Sequence, residues 1–164
     1  MIATRRATLD DVPLLVSLMR AFYAESAFSL DDQWATNSFR SLLDDERKGA
    51  IWIVSHDDKP AGYVVLTLRH SMEYGGQDGF VDDLYVRPPF RRRGLGNAAL
   101  SALFADCKER NLKAVHVEAA RDNTAARRLY ESFGLGVVDD KRQVLTLRFD
   151  AATGDNSGRA PKSP

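Results

Sequence analysis

The fold is decided by one stretch, Leu84-Tyr85-Val86-Arg87-Pro88-Pro89-Phe90-Arg91-Arg92-Arg93-Gly94-Leu95-Gly96-Asn97. It reads as a strand, a rigid turn and a basic glycine loop that opens into a helix. The extended run Phe80 to Val86 stops at two prolines, which fix φ and cannot donate to a ladder. Beyond the loop, Leu100, Leu103, Phe104 and Cys107 follow the i, i+3, i+4, i+7 spacing of an amphipathic helix. Gly94 and Gly96 carry no Cβ, so the backbone can approach a ligand closely. The unpaired N–H groups and positive dipole end of the new helix favour an anion, and Arg91, Arg92 and Arg93 add formal charge. This is a layout for holding a pyrophosphate.

Two other phosphate loops fit less well. A P-loop needs four residues between its glycines followed by Gly-Lys-Ser/Thr, which is absent. A dinucleotide fingerprint tolerates Ala99 in its third glycine position, and Glu118 lies about twenty residues further on. The Pro-Pro turn and the arginines ahead of the glycines nevertheless do not suit its tight first turn.

A second segment lies downstream: Asn123-Thr124-Ala125-Ala126-Arg127-Arg128-Leu129-Tyr130-Glu131-Ser132-Phe133-Gly134-Leu135. Together the two segments resemble the GNAT superfamily of acyl-CoA-dependent N-acyltransferases. Arg91-x-x-Gly94-x-Gly96 matches that family's pyrophosphate loop, and Asn-x-x-Ala-x-x-Leu-Tyr closed by Phe-Gly-Leu matches its second cofactor segment. Their order, a spacing of about thirty residues and the intervening strand Ala114 to Glu118 agree. The motifs with their flanks cover about 80–138, and the N-terminal pattern extends the likeness to about residue 2.

At 164 residues the chain suits one domain, expected over 1–150, with a disordered tail over 151–164. Lys plus Arg equals Asp plus Glu at 23 each, which gives no global charge for a nucleic-acid or membrane partner. A single cysteine excludes an internal disulfide framework and fits a reducing, cytoplasmic location. No signal peptide is evident, and no apolar run reaches the 18 or more residues of a membrane span. His56, His70 and His116 are scattered without metal-ligand spacing, so no metal is expected.

Along the chain, Ile2 to Arg6 reads as a strand, and Thr8 or Asp10 can cap a helix over about 10–25. A second helix is expected from Asp31 to Arg47. Strands follow at Ile51–Ser55 and Ala61–Arg69 around the turn Asp57-Asp58-Lys59-Pro60. Tyr74 to Gly79 reads as a loop. Helix 94–110, strand 113–118, helix 123–133 and a strand near Val144 to Phe149 complete the order β-α-α-β-β-β-α-β-α-β. Periodicity alone supports an α/β chain with hairpins. The resemblance implies a mixed, largely antiparallel sheet flanked by helices, with central strands that splay apart.

The resemblance also implies the site. Acetyl-CoA would be the co-substrate, held by the loop Arg91, Arg92, Arg93, Gly94, Leu95, Gly96 and Asn97. Main-chain groups of Leu84, Tyr85 and Val86 would meet its arm and thioester, although Leu84 and Val86 also read as core. Tyr130 is the implied general acid, since a phenol with pKa near ~10 is protonated at neutral pH. Asn123 would bond the pantetheine arm or simply cap its helix, and Ala126 would leave room for the cofactor. Asp82 takes the base position, with Glu73 and Asp83 as rivals; Asp82 and Glu73 are also candidate substrate carboxylates. Strict alternation puts Phe80, Asp82, Leu84 and Val86 on one face and Val81, Asp83 and Tyr85 on the other. His116 reads as structural and Cys107 as a packed thiol. The expected activity is direct acetyl transfer to a small-molecule or peptide amine, a polyamine-like compound or an amino terminus, in a homodimer by family habit. A catalytically silent CoA-binding module of the same fold is the alternative.

Overall fold

The computed structural model describes residues 1–139 together with Lys141, Val144 and Leu145. The elements are β1 (Ile2–Arg6), α1 (Val12–Glu25), α2 (Asp32–Leu43), β2 (Gly49–His56), β3 (Lys59–Ser71), β4 (Gly76–Val86), α3 (Leu95–Glu109), β5 (Val115–Val117) and α4 (Thr124–Ser132). The expected last strand falls outside the described residues except for Val144 and Leu145, which carry no regular structure, and the expected tail falls outside them altogether.

The five strands are ordered β1-β2-β3-β4-β5. The first three pairings are antiparallel and the last is parallel. Two apolar cores lie against the sheet. One gathers Leu15, Leu18, Phe22 and Phe39 of α1 and α2 on Ile51, Ile53, Tyr63, Val65 and Tyr85. The other gathers Leu95, Leu100, Leu103 and Cys107 of α3 on Trp52, Val54, Val64, Leu66, Val81 and Leu84. Each of β2, β3 and β4 contributes to both cores, as alternation along a doubly covered strand requires.

Local chemistry sets the ends. Asp31 caps α2 by accepting from the N–H groups of Gln33 and Trp34, both at 2.9 Å. That helix stops at Leu43 and not at Arg47, because Asp44 to Arg47 turn back: Asp45 accepts from the Arg47 N–H, and the Lys48 N–H donates to the Asp45 carbonyl. Asp57 and Asp58 both take positive φ, 49° and 60°, giving the two-residue hairpin whose twist suits the flanking strands. The expected loop 74–79 is also corrected. Pairing of β3 with β4 continues to Ser71↔Gly76, so the turn shrinks to Met72–Gly75 and most of the glycine-rich segment becomes strand.

The correction with most consequence lies in β4. Val65 faces Asp83 and Leu66 faces Val81, so Asp82 is an extra residue in the ladder, a β-bulge. Alternation therefore breaks there. Val81 and Leu84 share the α3 core, whereas Tyr85 joins the α1–α2 core and Asp83 bonds a tyrosine of that same core.

Candidate functional site

β4 and β5 touch only over Gly79–Val81 against Val115–Val117, after which they part. Arg87 N–H donates to Ala61 O on the β3 side at 2.8 Å. By strand alternation the main-chain groups of Val86 and Leu84 then point the other way, toward the side β5 has left. Those of Tyr85 point at β3. Of the three residues expected to meet the cofactor arm, Leu84 and Val86 present backbone to the open edge and Tyr85 does not. The Val86 carbonyl accepts from Arg91 Nε at 2.8 Å.

β4 ends in the turn Pro88–Phe90, and the loop Arg91–Gly94 leads to α3. Gly94 caps α3 at φ 86°, the left-handed region that a side chain disfavours. The helical ladder starts with Ala98 N–H donating to Gly94 O at 3.0 Å, so the N–H groups of Leu95, Gly96 and Asn97 precede it. Arg92 and Arg93 are exposed beside them. The donor set suits a pyrophosphate: three helix-start amides, a left-handed glycine and two exposed guanidinium groups. Three loop residues also serve packing or ion pairing. The Leu95 side chain is buried in the α3 core and offers only its backbone. A Cβ on Gly96 would stand 3.0 Å from Leu129 Cδ2, so this glycine admits α4. The Arg91 guanidinium turns back across β4: Nη2 donates to both oxygens of Glu25, at 2.8 and 2.7 Å, and the group lies 5.7 Å over the Tyr85 ring.

Beyond the open edge, Asn123 caps α4 by accepting from Ala126 N–H at 3.0 Å. Ala126 and Tyr130 are buried against α3, 7% and 3% exposed, so α4 carries the phenol inward from the helix that starts at the phosphate loop.

The other half of the site sits on the α1–α2 face. Tyr63 OH donates to Asp83 Oδ2 at 2.9 Å, and Tyr85 OH donates to Glu25 Oε1 at 3.0 Å. The two tyrosine rings are 6.4 Å apart, and Phe22 stacks on Tyr85 at 5.4 Å. Burial pushes Asp83 up to about 7; the Tyr63 hydrogen bond opposes the rise and the charge of neighbouring Asp82 adds to it. Asp82 is exposed beside Asp83, and its charge also helps raise Tyr23 and Tyr63. Burial, then the Glu25 hydrogen bond, raise Tyr85 to about 12.

Glu73 is not part of this cluster. It lies in the Met72–Gly75 turn, about 20 Å along β4 from Asp82 at ~3.3 Å per residue. Asp78 is fully buried and bound by Arg69 Nε at 2.8 Å and His116 Nε2 at 3.0 Å, which makes His116 a structural partner. Burial raises the Cys107 thiol to about 11, the wrong direction for a nucleophile. Among the described residues no cluster of His, Cys, Asp and Glu could hold a metal, and no helix is long and apolar enough to cross a membrane.

Three residues here escape sequence reading. Glu25 ends a helix where the dipole disfavours a carboxylate, a faint signal that a cation must be near. Tyr23 and Tyr63 look like ordinary core residues.

Residues 15–135 match the model of the acetyltransferase (GNAT) family. An uncharacterized N-acetyltransferase of Archaeoglobus fulgidus is 30% identical over 135 residues, covering 78% of this chain and 88% of that protein. The crystal structure of an integron cassette protein from the mobile metagenome of Cole Harbour salt marsh superposes with a TM-score of 0.81 at 38% identity, covering 91% of both chains. A predicted acetyltransferase of Clostridium acetobutylicum, solved with acetyl-CoA, shares the fold at a TM-score of 0.72 and 20% identity, covering 88% of this chain and 96% of that one.

Proposed function

The chain belongs to the GNAT acetyltransferase family, and on that footing we propose that it transfers the acetyl group of acetyl-CoA directly to an amine within a ternary complex. The observation that carries this reading is the parting of β4 from β5 beside the start of α3. It sets the main chain of Leu84 and Val86 on an edge that continues into the phosphate-binding amides. Bound acetyl-CoA supplies an activated acetyl group whose C–S bond breaks as the C–N bond forms.

The protein's own groups do the rest. The N–H groups of Leu95, Gly96 and Asn97, with Arg92 and Arg93, hold the pyrophosphate, and Leu84 and Val86 align the arm. A main-chain N–H aimed at the thioester oxygen is typically worth about 2.7–4 kcal/mol in the transition state. Tyr130 holds a proton on Oη at neutral pH and delivers it to the departing sulfur.

The base is assigned to Asp83 with Asp82 as its neighbour, a shift of one residue from the position the family likeness suggests. An alkylammonium with a pKa near ~10.4 must lose a proton before attack, and a carboxylate near ~3.9 is a weak acceptor for it. Asp83, raised to about 7, is far better matched. Exposed Asp82 holds the arriving ammonium. The acceptor is a small-molecule or peptide amine that tolerates this acidic wall.

Calorimetric titration of acetyl-CoA, followed by thiol release over a panel of amines, amino acids, aminoglycosides and peptides, tests the reading. Micromolar binding and amine-dependent thiol release are expected. Absence of acetyl-CoA binding would overturn it.

A further inference from the structure

Arg91 belongs by sequence to the phosphate loop, yet its guanidinium is committed elsewhere. Nη2 spans both oxygens of Glu25, Nε holds the Val86 carbonyl, and Tyr85 OH shares the Glu25 Oε1. The pair is not sealed: the two side chains keep 37% and 30% of their surface exposed. Glu25 is the last residue of α1, where the helix dipole opposes its charge. The compensating cation comes from the segment that carries the phosphate-binding amides. Tyr85 joins Glu25 to the same ring wall that holds Asp83 through Tyr63.

We propose that Glu25 is a binding site for a second cationic group on the acceptor, released to that group when the anionic end of bound acetyl-CoA draws Arg91 away. A pyrophosphate at the start of α3 competes with Glu25 for one guanidinium, and a phosphate with several oxygens is the stronger partner for it. Once Arg91 leaves, a carboxylate at a helix C-terminus faces a new anion and lacks its main counter-charge. An ammonium restores the balance. The acceptor class is therefore a diamine or polyamine, or a peptide with a basic residue near its amino terminus: one amine presented to Asp83, a cation seated at Glu25. Binding of the two substrates is positively coupled, and by linkage the coupling is the same from either side. The inference rests on the acetyl-CoA site proposed above and deepens it.

A purely structural brace would act differently, because loss of either partner would loosen the loop. The test is calorimetric titration of coenzyme A into wild type, Glu25→Gln and Arg91→Met, with melting temperatures recorded for each. The release model gives opposite signs. Glu25→Gln binds coenzyme A about three- to tenfold more tightly, since no ion pair has to be broken, and Arg91→Met binds about tenfold more weakly. Equal or weaker binding by Glu25→Gln overturns the proposal. Glu25→Asp, too short to span to Arg91, must show the same sign as Glu25→Gln if the latter fails to fold. In the second arm, saturating coenzyme A raises wild-type affinity for 1,4-diaminobutane at least about fivefold, with little change for n-butylamine and none in Glu25→Gln. Equal coupling for both amines overturns the cation site. Failure of wild type to bind coenzyme A at all defeats the cofactor reading and this one together, whereas wild-type binding with the wrong sign in Glu25→Gln defeats only this one.

Discussion

The two halves of the site are built by different means. The proposed cofactor half is contiguous: β4, a turn, a glycine loop and α3 follow one another in the chain, and α4 lies on the same core. Its working groups are largely backbone. The proposed acceptor half is assembled from α1, β3 and the bulge of β4, and the side chains it would use are brought together from residues 23, 25, 63, 82, 83 and 85. Backbone recognition depends on a few glycines and a helix start, so it tolerates exchange of most side chains. Side-chain recognition changes with every substitution. A protein built this way keeps its donor and can change its acceptor.

That contrast can be broken most directly at the bulge. Asp83→Asn is expected to lower kcat/KM at pH 7 by about 10²–10⁴-fold, the range for loss of a general base, with acetyl-CoA affinity unchanged. Wild-type activity should climb as pH rises through about 7, and that limb should vanish in the variant. If Asp82→Asn, and not Asp83→Asn, removes the limb, the base moves back to Asp82.

Tyr130→Phe probes the opposite half. A fall in kcat of about 10²-fold is expected, again with acetyl-CoA affinity retained, because the hydroxyl acts only as the sulfur leaves. Stopped-flow single turnovers would isolate the chemical step; an unaltered rate there removes Tyr130 from the mechanism.

Gly96→Val sharpens the claim that this glycine serves packing. Its new side chain meets Leu129 at 3.0 Å, so thermal unfolding should show a loss of about 1–3 kcal/mol, the usual cost of overpacking. Leu129→Ala in the same chain should restore part of it. A variant with weakened acetyl-CoA binding and an unchanged melting temperature would instead mean that the missing Cβ at Gly96 makes room for the cofactor and not for α4.

The smallest effect is on stability against pH. Asp83 has a higher pKa folded than unfolded, so the folded state binds more protons between about 4 and about 7. Its contribution is fully present below the unfolded value and is lost as pH rises through about 7. Asp83→Asn should therefore be more stable than wild type at pH 8 and no more stable at pH 4, as urea titrations at the two values would reveal.

Legibility in the sequence followed the same division. The element order, the phosphate loop and the Tyr130 helix rest on local signals: proline, glycine, periodicity and a spaced motif. The helical pattern overruns the true end of α2 because Asp44 to Arg47 offer no proline or glycine to stop it, and only the turn bonds through Asp45 do so. Strict alternation in β4 breaks at Asp82, since a bulge depends on the partner strand and not on the residues that bulge. Closeness along the chain groups Glu73 with Asp82, yet the hairpin puts about 20 Å of strand between them. Arg91 matched its motif while its guanidinium served α1, a contact separated by 66 residues.

The single surplus residue in β4 also governs how this chain could be re-engineered. Removing Asp82 would leave Val81 opposite Leu66 and Asp83 opposite Val65 in an unbroken ladder, so both faces would keep their residues and only the exposed carboxylate and the local twist of the bulge would go. The paired positions between Gly79 and Val86 are indexed: a one-residue insertion or deletion there has no such slack and turns every downstream side chain to the other face. The Met72–Gly75 turn has no such indexing: a Cβ at Gly75 would meet nothing within 4 Å, and Met72 is 88% exposed. Anyone grafting a longer recognition loop should open the chain there and leave the strand count of β4 untouched.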